Sequence, residues 1–151
     1  MPVIAIDTPV GRLAVAERGG QVVRVSWSAP PQGEPTPLLT EAARQVAAYF
    51  ARELRDFDLP LDPGGNDLER GVFAAMRAIP YGQTRTYGDI AGDLGTWGQP
   101  VGQACGANPI PVIIPCHRVL SATGLGGYSG AGGIETKIAL LKLEGGYPLL
   151  L

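Results

Sequence analysis

Two proline-rich stretches limit what this chain can fold into. SAPPQGEPTP occupies residues 28–37 and DFDLPLDPGG residues 56–65. Proline fixes φ and lacks a backbone N–H, so neither a helix interior nor a central strand runs through such segments. They leave a short opening block, a middle block with room for one helix, and a second half. In the opening block, residues 3–6, 13–16 and 22–25 are short apolar or alternating runs. TPVG (8–11) and RGGQ (18–21) separate them with turn residues, which predicts a small antiparallel sheet. The middle block predicts a helix over residues 38–54, with Leu39, Ala43, Val46, Ala47 and Phe50 near helical spacing. DFDLPLDPGG reads as an extended linker, so the lobe boundary falls near Gly65, between lobes of residues 1–65 and 66–151.

The second half opens with NDLERGVFAAMRAIP. Asn66 stands at an N-cap and Glu69 at the capping-box position. Leu68, Val72, Phe73 and Met76 share a face, and Pro80 ends the helix. In TRTYGDIAGDLG, Thr86 caps, Asp89 takes the third helical position, Ile90, Ala91 and Leu94 face inward, and Gly95 is the stop. QPVGQACGANP follows, with Pro100 suited to a first helical position and Asn108-Pro109 to a stop. Two short helices joined by a Gly-containing turn predict a helix-turn-helix. Val112, Ile113 and Ile114 then read as a buried strand that ends at Pro115. A loop with six glycines covers residues 121–133. The last helix spans residues 134–144, with Ile134, Ile138 and Leu141 inward and Gly145 at its stop. The fold class is α/β (α+β): a small sheet with a helix, then a mostly helical lobe.

The chain has 151 residues, 45% hydrophobic, enough for one core with a small appended lobe. No apolar run reaches transmembrane length, and MPVIAIDTPVG lacks the basic start of a signal peptide. Two cysteines cannot make a disulfide scaffold, and with one histidine they are too few for a structural zinc site. No metal and a reducing cytoplasm are expected. A net charge of −2 argues against a general nucleic-acid binder. The charge is uneven, however: residues 1–69 carry −4 and residues 70–151 carry +2. Attraction of the second half to phosphate should be modest and salt-sensitive.

The chemistry concentrates in PVIIPCHRVLS (111–121), which sets the only histidine beside one of the two cysteines. A free thiol has a pKa of about 8.5, and a nearby histidine can accept its proton while a carboxylate orients that histidine. Glu144 is the candidate carboxylate. Neighbours on a strand point to opposite faces, so direct Cys116–His117 pairing needs a bend at Pro115 or a bridging water. The bland reading is a buried cysteine beside a surface histidine. The position between a buried segment and a glycine-rich loop favours reactivity. The second helix of the helix-turn-helix carries Gly102, Ala104, Cys105, Gly106 and Ala107 and no basic residue. That suits tight core packing or a shallow seat in a minor groove rather than major-groove readout. A cysteine acting on DNA would need its target base flipped out of the duplex.

NPIPVIIPCHRVL (108–120) closely resembles the active-site signature of the methylated-DNA–protein-cysteine methyltransferases, the alkylguanine-DNA alkyltransferases. The likeness continues through IPYGQTRTYGDIA (79–91), VGQACGANP (101–109) and TKIALLKLEG (136–145), and more weakly over residues 42–62. It implies a ribonuclease-H-like N-terminal lobe beside a helical lobe whose second helix enters the minor groove. The implied reaction is a single, irreversible transfer of an alkyl group from O6 of guanine (or O4 of thymine) in double-stranded DNA to the cysteine. It needs no cofactor and no membrane, and the protein is expected to be a cytoplasmic monomer. By motif, Cys116 is the acceptor, His117 its water-mediated base and Glu144 the residue that orients His117. Asn108 resembles a hinge asparagine, Tyr87 a contact to the flipped base and 3′ phosphate, and Lys137 an assistant at the substrate oxygen. Tyr128 and Ser129 resemble the lesion-pocket wall, and Arg118 a brace for the surrounding loops. Val101, Gly102, Ala104 and Val119 fall in the implied DNA- and substrate-binding set. Gln99 stands where the resemblance implies a stack-entering arginine; an uncharged, shorter side chain implies weaker extrusion or weaker affinity. A damage sensor of the alkyltransferase-like kind and a Cys-His-Glu hydrolase are the competing readings. The sensors replace the acceptor cysteine, which this chain keeps.

Overall fold

The structure, a computed structural model, describes residues 1–145. It is a mixed α/β chain whose residues cluster into two compact units, Met1–Pro63 and a second that begins at Gly64.

The first unit is built on an antiparallel meander of β1 (Val3–Thr8), β2 (Gly11–Arg18) and β3 (Gln21–Ser26). The register pairs Ile4 with Val15 and Val15 with Val25, with a bulge between Ala16 and Glu17. Leu13, Ala14, Val15 and Ala16 of the central strand are all buried. Helix α1 (Pro37–Phe50) packs on β1 and β2, capped by the Thr36 hydroxyl, which accepts from Leu39 N. Its inward residues are Leu39, Ala42, Gln45, Val46 and Tyr49, whereas Ala47 is exposed and Ala43 and Phe50 are half-buried. The helix stops at Phe50, short of the expected residue 54. Arg52 turns into the left-handed region (φ 62°), and Glu53 N and Leu54 N fold back onto Ala48 O.

The proline-rich connectors are more than linkers. Gln32 exchanges backbone bonds of 2.8 and 3.0 Å with Val3, and the 60–62 segment bonds Val22 at 2.8 and 2.9 Å. Each connector thus covers one open edge of the sheet, where unpaired backbone groups would invite association. Buried Gln45 clamps the second connector, donating to Asp58 O and accepting from Asp58 N.

The second unit contains α2 (Asp67–Arg77), β4 (Arg85–Thr86), α3 (Tyr87–Leu94), α4 (Gly98–Gly106), β5 (Val119–Leu120) and α5 (Ile134–Glu144). The expected capping box of Asn66 with Glu69 is present, and the Thr86 cap forms a second one with Asp89. Gly95 ends α3 at φ 69°, as a left-handed stop requires. The core is formed by Val72, Phe73, Met76, Ile90, Val101, Ile110, Ile114, Leu140 and Leu141.

In this unit four expectations fail. Leu94 is 38% exposed, because it sits on the last turn of α3. Pro100 is the third residue of α4 rather than the first, still within the turn whose N–H groups have no helical partner. The inward face of α5 is Thr136, Lys137, Leu140, Leu141 and Glu144, while Ile134 is exposed and Ile138 half-buried. Finally, residues 112–114 are no strand. They are buried, but Pro111 and Pro115 bracket a run too short to ladder. It coils into turns, with Val112 at φ 71°, Ile113 N on Pro111 O and Ile114 N on Ile110 O. The paired segment is instead β5, parallel to β4, with Arg85 opposite Val119.

The Asn66 side chain caps α2 by accepting from Glu69 N at 2.8 Å. Asn66→Ala should lower stability by about 1 kcal/mol in urea unfolding, and Asn66→Asp should leave it nearly unchanged.

Candidate active site

The turn that replaces the expected strand positions the reactive residues. Asn108 fixes it from behind: its amide nitrogen donates to Ile114 O at 2.9 Å and its oxygen accepts from Ile110 N at 3.0 Å. Past Pro115 the chain tightens into a single 3₁₀ turn, Cys116–Arg118. The chain does bend at Pro115, and the turn sends Cys116 to one side and both His117 and Arg118 towards Glu144.

Cys116 lines a cavity of about 440 Å³, within the rough 300–1,000 Å³ range of ligand sites. Tyr87, Gly102, Cys105 and Gly106 come to it from the helix-turn-helix, and Gly127, Tyr128 and Ser129 from the glycine-rich loop. Tyr87 is the first residue of α3 and follows β4 directly. The β4–β5 pairing therefore ties it to the segment just after the cysteine. Gly126 lies under the Tyr87 ring at φ 72°; an added Cβ would stand 2.9 Å from ring carbon and hydroxyl, so only glycine fits.

His117 points into the protein and is fully buried. Its Nε2 lies 2.7 Å from Glu144 Oε2. Arg118 grips the same carboxylate with Nε and Nη2 at 2.8 and 2.9 Å, and its Nη1 donates to Ile79 O at 2.8 Å. A carboxylate held by a guanidinium is an acceptor, so Nε2 of the histidine carries the hydrogen and Nδ1 the lone pair. Nδ1 is buried and has no hydrogen-bond partner among the described residues. Burial holds the imidazole below its usual pKa, although the Glu144 bond pulls upward. At neutral pH it is an uncharged base.

Lys137 is also fully buried. Its ammonium donates to Val119 O at 2.6 Å and Gly127 O at 2.9 Å, and sits 5.9 Å from the Tyr87 ring centre. Burial lowers its pKa to about 8. Burial raises the Cys116 thiol, while the Asn108 amide and the Lys137 charge favour its thiolate. Tyr87 and Tyr128 are likewise raised, chiefly by burial.

The structure thus gathers Cys116, Tyr87, Gly102, Tyr128 and Ser129 around one cavity, and His117, Arg118 and Glu144 into one buried cluster. Gln99 is exposed and lines no part of the cavity. Val101, Ala104 and Val119 carry core side chains at 0–3% exposure, and Asn108 and Arg118 use their polar groups internally. None of these five is among the residues that line the cavity. Cys105, Gly106 and Gly127 line the cavity without being among the site residues expected from the sequence. The Cys105 sulfur lies 3.6 Å from that of Met76, and burial lifts its pKa to about 12. Only its place one turn after Gly102 hinted at a shared wall.

A helix-turn-helix that walls a cavity with a thiol in it, backed by a His-Glu-Arg cluster, defines a cysteine-dependent protein built to act on nucleic acid. Comparison with known proteins agrees. Residues 3–63 match the ribonuclease-like domain, and residues 67–146 the DNA binding domain, of the 6-O-methylguanine DNA methyltransferase family models. The methylated-DNA–protein-cysteine methyltransferase of Mycobacterium tuberculosis is 42% identical over 92% of this chain and 89% of its own. The crystal structure of the Mycobacterium tuberculosis O6-methylguanine methyltransferase superposes with a TM-score of 0.82 at 40% identity, covering 98% of this chain and 95% of that one. The Mycobacterium tuberculosis protein OGT in complex with DNA gives 0.80 at 44% identity, over 93% and 91%. The chain belongs to the methylated-DNA–protein-cysteine methyltransferase family. No helix among the described residues is long and apolar enough to cross a membrane.

Removing Arg118 would leave the Glu144 carboxylate, whose side chain is 1% exposed, with a single polar partner from this cluster. Arg118→Ala should therefore cost about 3–5 kcal/mol in urea unfolding. A loss below about 1 kcal/mol, the size of an exposed pair, would contradict a buried one.

Proposed function

We propose that this protein repairs alkylated DNA directly, by moving the alkyl group from O6 of guanine onto Cys116 once per molecule. The observation that carries this reading is the Cys116 thiol in the wall of a base-sized cavity, next in sequence to a buried histidine whose orientation Glu144 fixes. Residues 66–151 form the DNA-binding and acceptor lobe, residues 1–65 support it, and the protein works as a monomer.

In this mechanism the thiol proton leaves through a water to Nδ1 of His117, the ring nitrogen that has no hydrogen-bond partner among the described residues. The sulfur attacks the alkyl carbon, an S–C bond forms, and the C–O6 bond breaks with its electron pair going to guanine. The leaving base needs one proton, which the Tyr87 hydroxyl supplies, while the charge of the Lys137 ammonium assists departure at the substrate oxygen. Tyr128 and Ser129 wall the cavity on the loop side, and in this reading O6 is met by the Ser129 backbone. The helix-turn-helix enters the minor groove and the lesion flips into the cavity, since chemistry on a base inside the stack is sterically barred. Retention of the thiol with its base favours transfer over a purely binding sensor.

Intact-mass measurement after incubation with a duplex containing O6-methylguanine should show one added methyl per chain, located on Cys116, and none in Cys116→Ser. Binding without an adduct would support the sensor, and ester turnover by unmodified protein the hydrolase. The role of Lys137 predicts a pH signature. Its folded pKa near 8 means the ammonium is present at pH 7 and is lost as pH rises past about 8. The ratio of wild-type to Lys137→Met transfer rates should exceed one at pH 7 and fall towards one above pH 8. A ratio flat with pH would remove the lysine from the mechanism.

A further inference from the structure

The turn joining α3 to α4 ends on Trp97. Its side chain is 67% exposed, more than any other large hydrophobic residue among those described. Trp97 is also the N-cap of α4, where it makes no side-chain cap bond. Helices α1, α2 and α3 are each capped by a Thr or Asn side chain. The usual cap has here been given up for an indole in water, and neither change stabilises the isolated chain. The tryptophan therefore calls for a partner.

The surroundings say which. Residues 94–116 carry no charged side chain, so this surface recruits nothing by Coulomb attraction. What it offers is a flat aromatic ring followed by a helix face of glycines. Gly98, Gly102 and Gly106 recur at one-turn spacing, and an added Cβ at Gly102 or Gly106 would meet nothing within 4 Å. Gly102 and Gly106 also line the Cys116 cavity. From Trp97 to Gly102 is about 7.5 Å along the helix axis at 1.5 Å per residue, roughly two base steps at 3.4 Å. A strand laid along this face would bring one nucleotide to the cavity while the indole met the stack close by.

We propose that Trp97 is the wedge that fills the base stack when the alkylated nucleotide leaves it. The inference rests on the repair reading above and specifies how the same site holds its DNA. Apolar side chains inserted from the minor groove between base steps are a general way to unstack a duplex. Aromatic–base stacking is tolerant of sequence, as a lesion searcher needs.

The test compares methyl transfer from an O6-methylguanine duplex to wild type, Trp97→Ala and Trp97→Phe. Trp97→Ala should transfer roughly tenfold or more slowly at sub-saturating duplex, and Trp97→Phe should retain most of the rate. The thermal unfolding midpoints should coincide, since the residue is on the surface. In a Trp27→Phe, Cys116→Ser chain, Trp97 is the sole tryptophan, and its emission should be quenched when the lesion duplex binds. A Trp97→Ala rate equal to wild type, or unchanged emission on binding, would overturn the wedge and leave the repair reading intact. Wild type that takes no methyl from the duplex would overturn both.

Discussion

Glu144 is buried, and its charge has to be answered inside the protein. An unpaired carboxylate there would cost several kcal/mol. The answer comes from two consecutive residues of one 3₁₀ turn, His117 and Arg118, so the cluster fixes where that turn lies against α5. Cys116 begins the same turn and is placed as a consequence. The arginine fork is bidentate and holds the carboxylate plane, which in turn sets the histidine tautomer. Stability and chemistry are thus coupled through one acidic side chain. This also explains why a glutamate sits at a helix C-terminus, where the helix dipole disfavours it.

A second constraint runs through Val119. Its carbonyl accepts from Lys137, its strand pairs with β4, and β4 leads directly into Tyr87. The lysine also holds Gly127 of the glycine-rich loop. One buried ammonium therefore joins the acceptor segment and the loop wall of the cavity, and stands close to the tyrosine. Burial has opposite effects on the groups involved, raising the thiol and both tyrosines and lowering the histidine and the lysine. Each is thereby pushed towards its neutral form. In the proposed mechanism the resting thiol is protonated and gains reactivity only when its proton has somewhere to go, which protects it from adventitious electrophiles.

Much of this was legible in the sequence because it depended on local rules. The sheet punctuation, the Asn66 and Thr86 caps and the Gly95 stop follow from residue types at fixed offsets, and they hold. A candidate Cys-His-Glu grouping was also visible, since a thiol beside an imidazole, with a carboxylate to orient it, suggests a nucleophile with its base. What failed depended on tertiary context. The apolar run 112–114 is buried as expected, but burial does not determine conformation, and the Asn108 side chain pulls the run into turns. The apolar stripe of α5 placed Leu141 inward correctly but missed the rest of the buried face, because that face holds the lysine and glutamate that the site uses. Hydrophobic periodicity assumes that charges face water, and a functional cluster is where that assumption breaks. Cys105 was missed for a related reason: a small residue on a helix gives no sign of the cavity it borders.

The absence of charge from residues 94–116 bears on how a lesion would be found. A basic recognition helix gains affinity by releasing counterions, and that gain is nearly the same at every site on a duplex. An uncharged helix forgoes it, and the +2 of the second half supplies little to replace it. Discrimination in the proposed reading then falls on extrusion. A damaged or mispaired base costs less to unstack than a sound one, so a protein that gains most of its binding from the opened state holds a lesion in preference to intact DNA. Weak general affinity is then part of the selectivity, because it leaves the single-use thiol available until a base that opens easily is met.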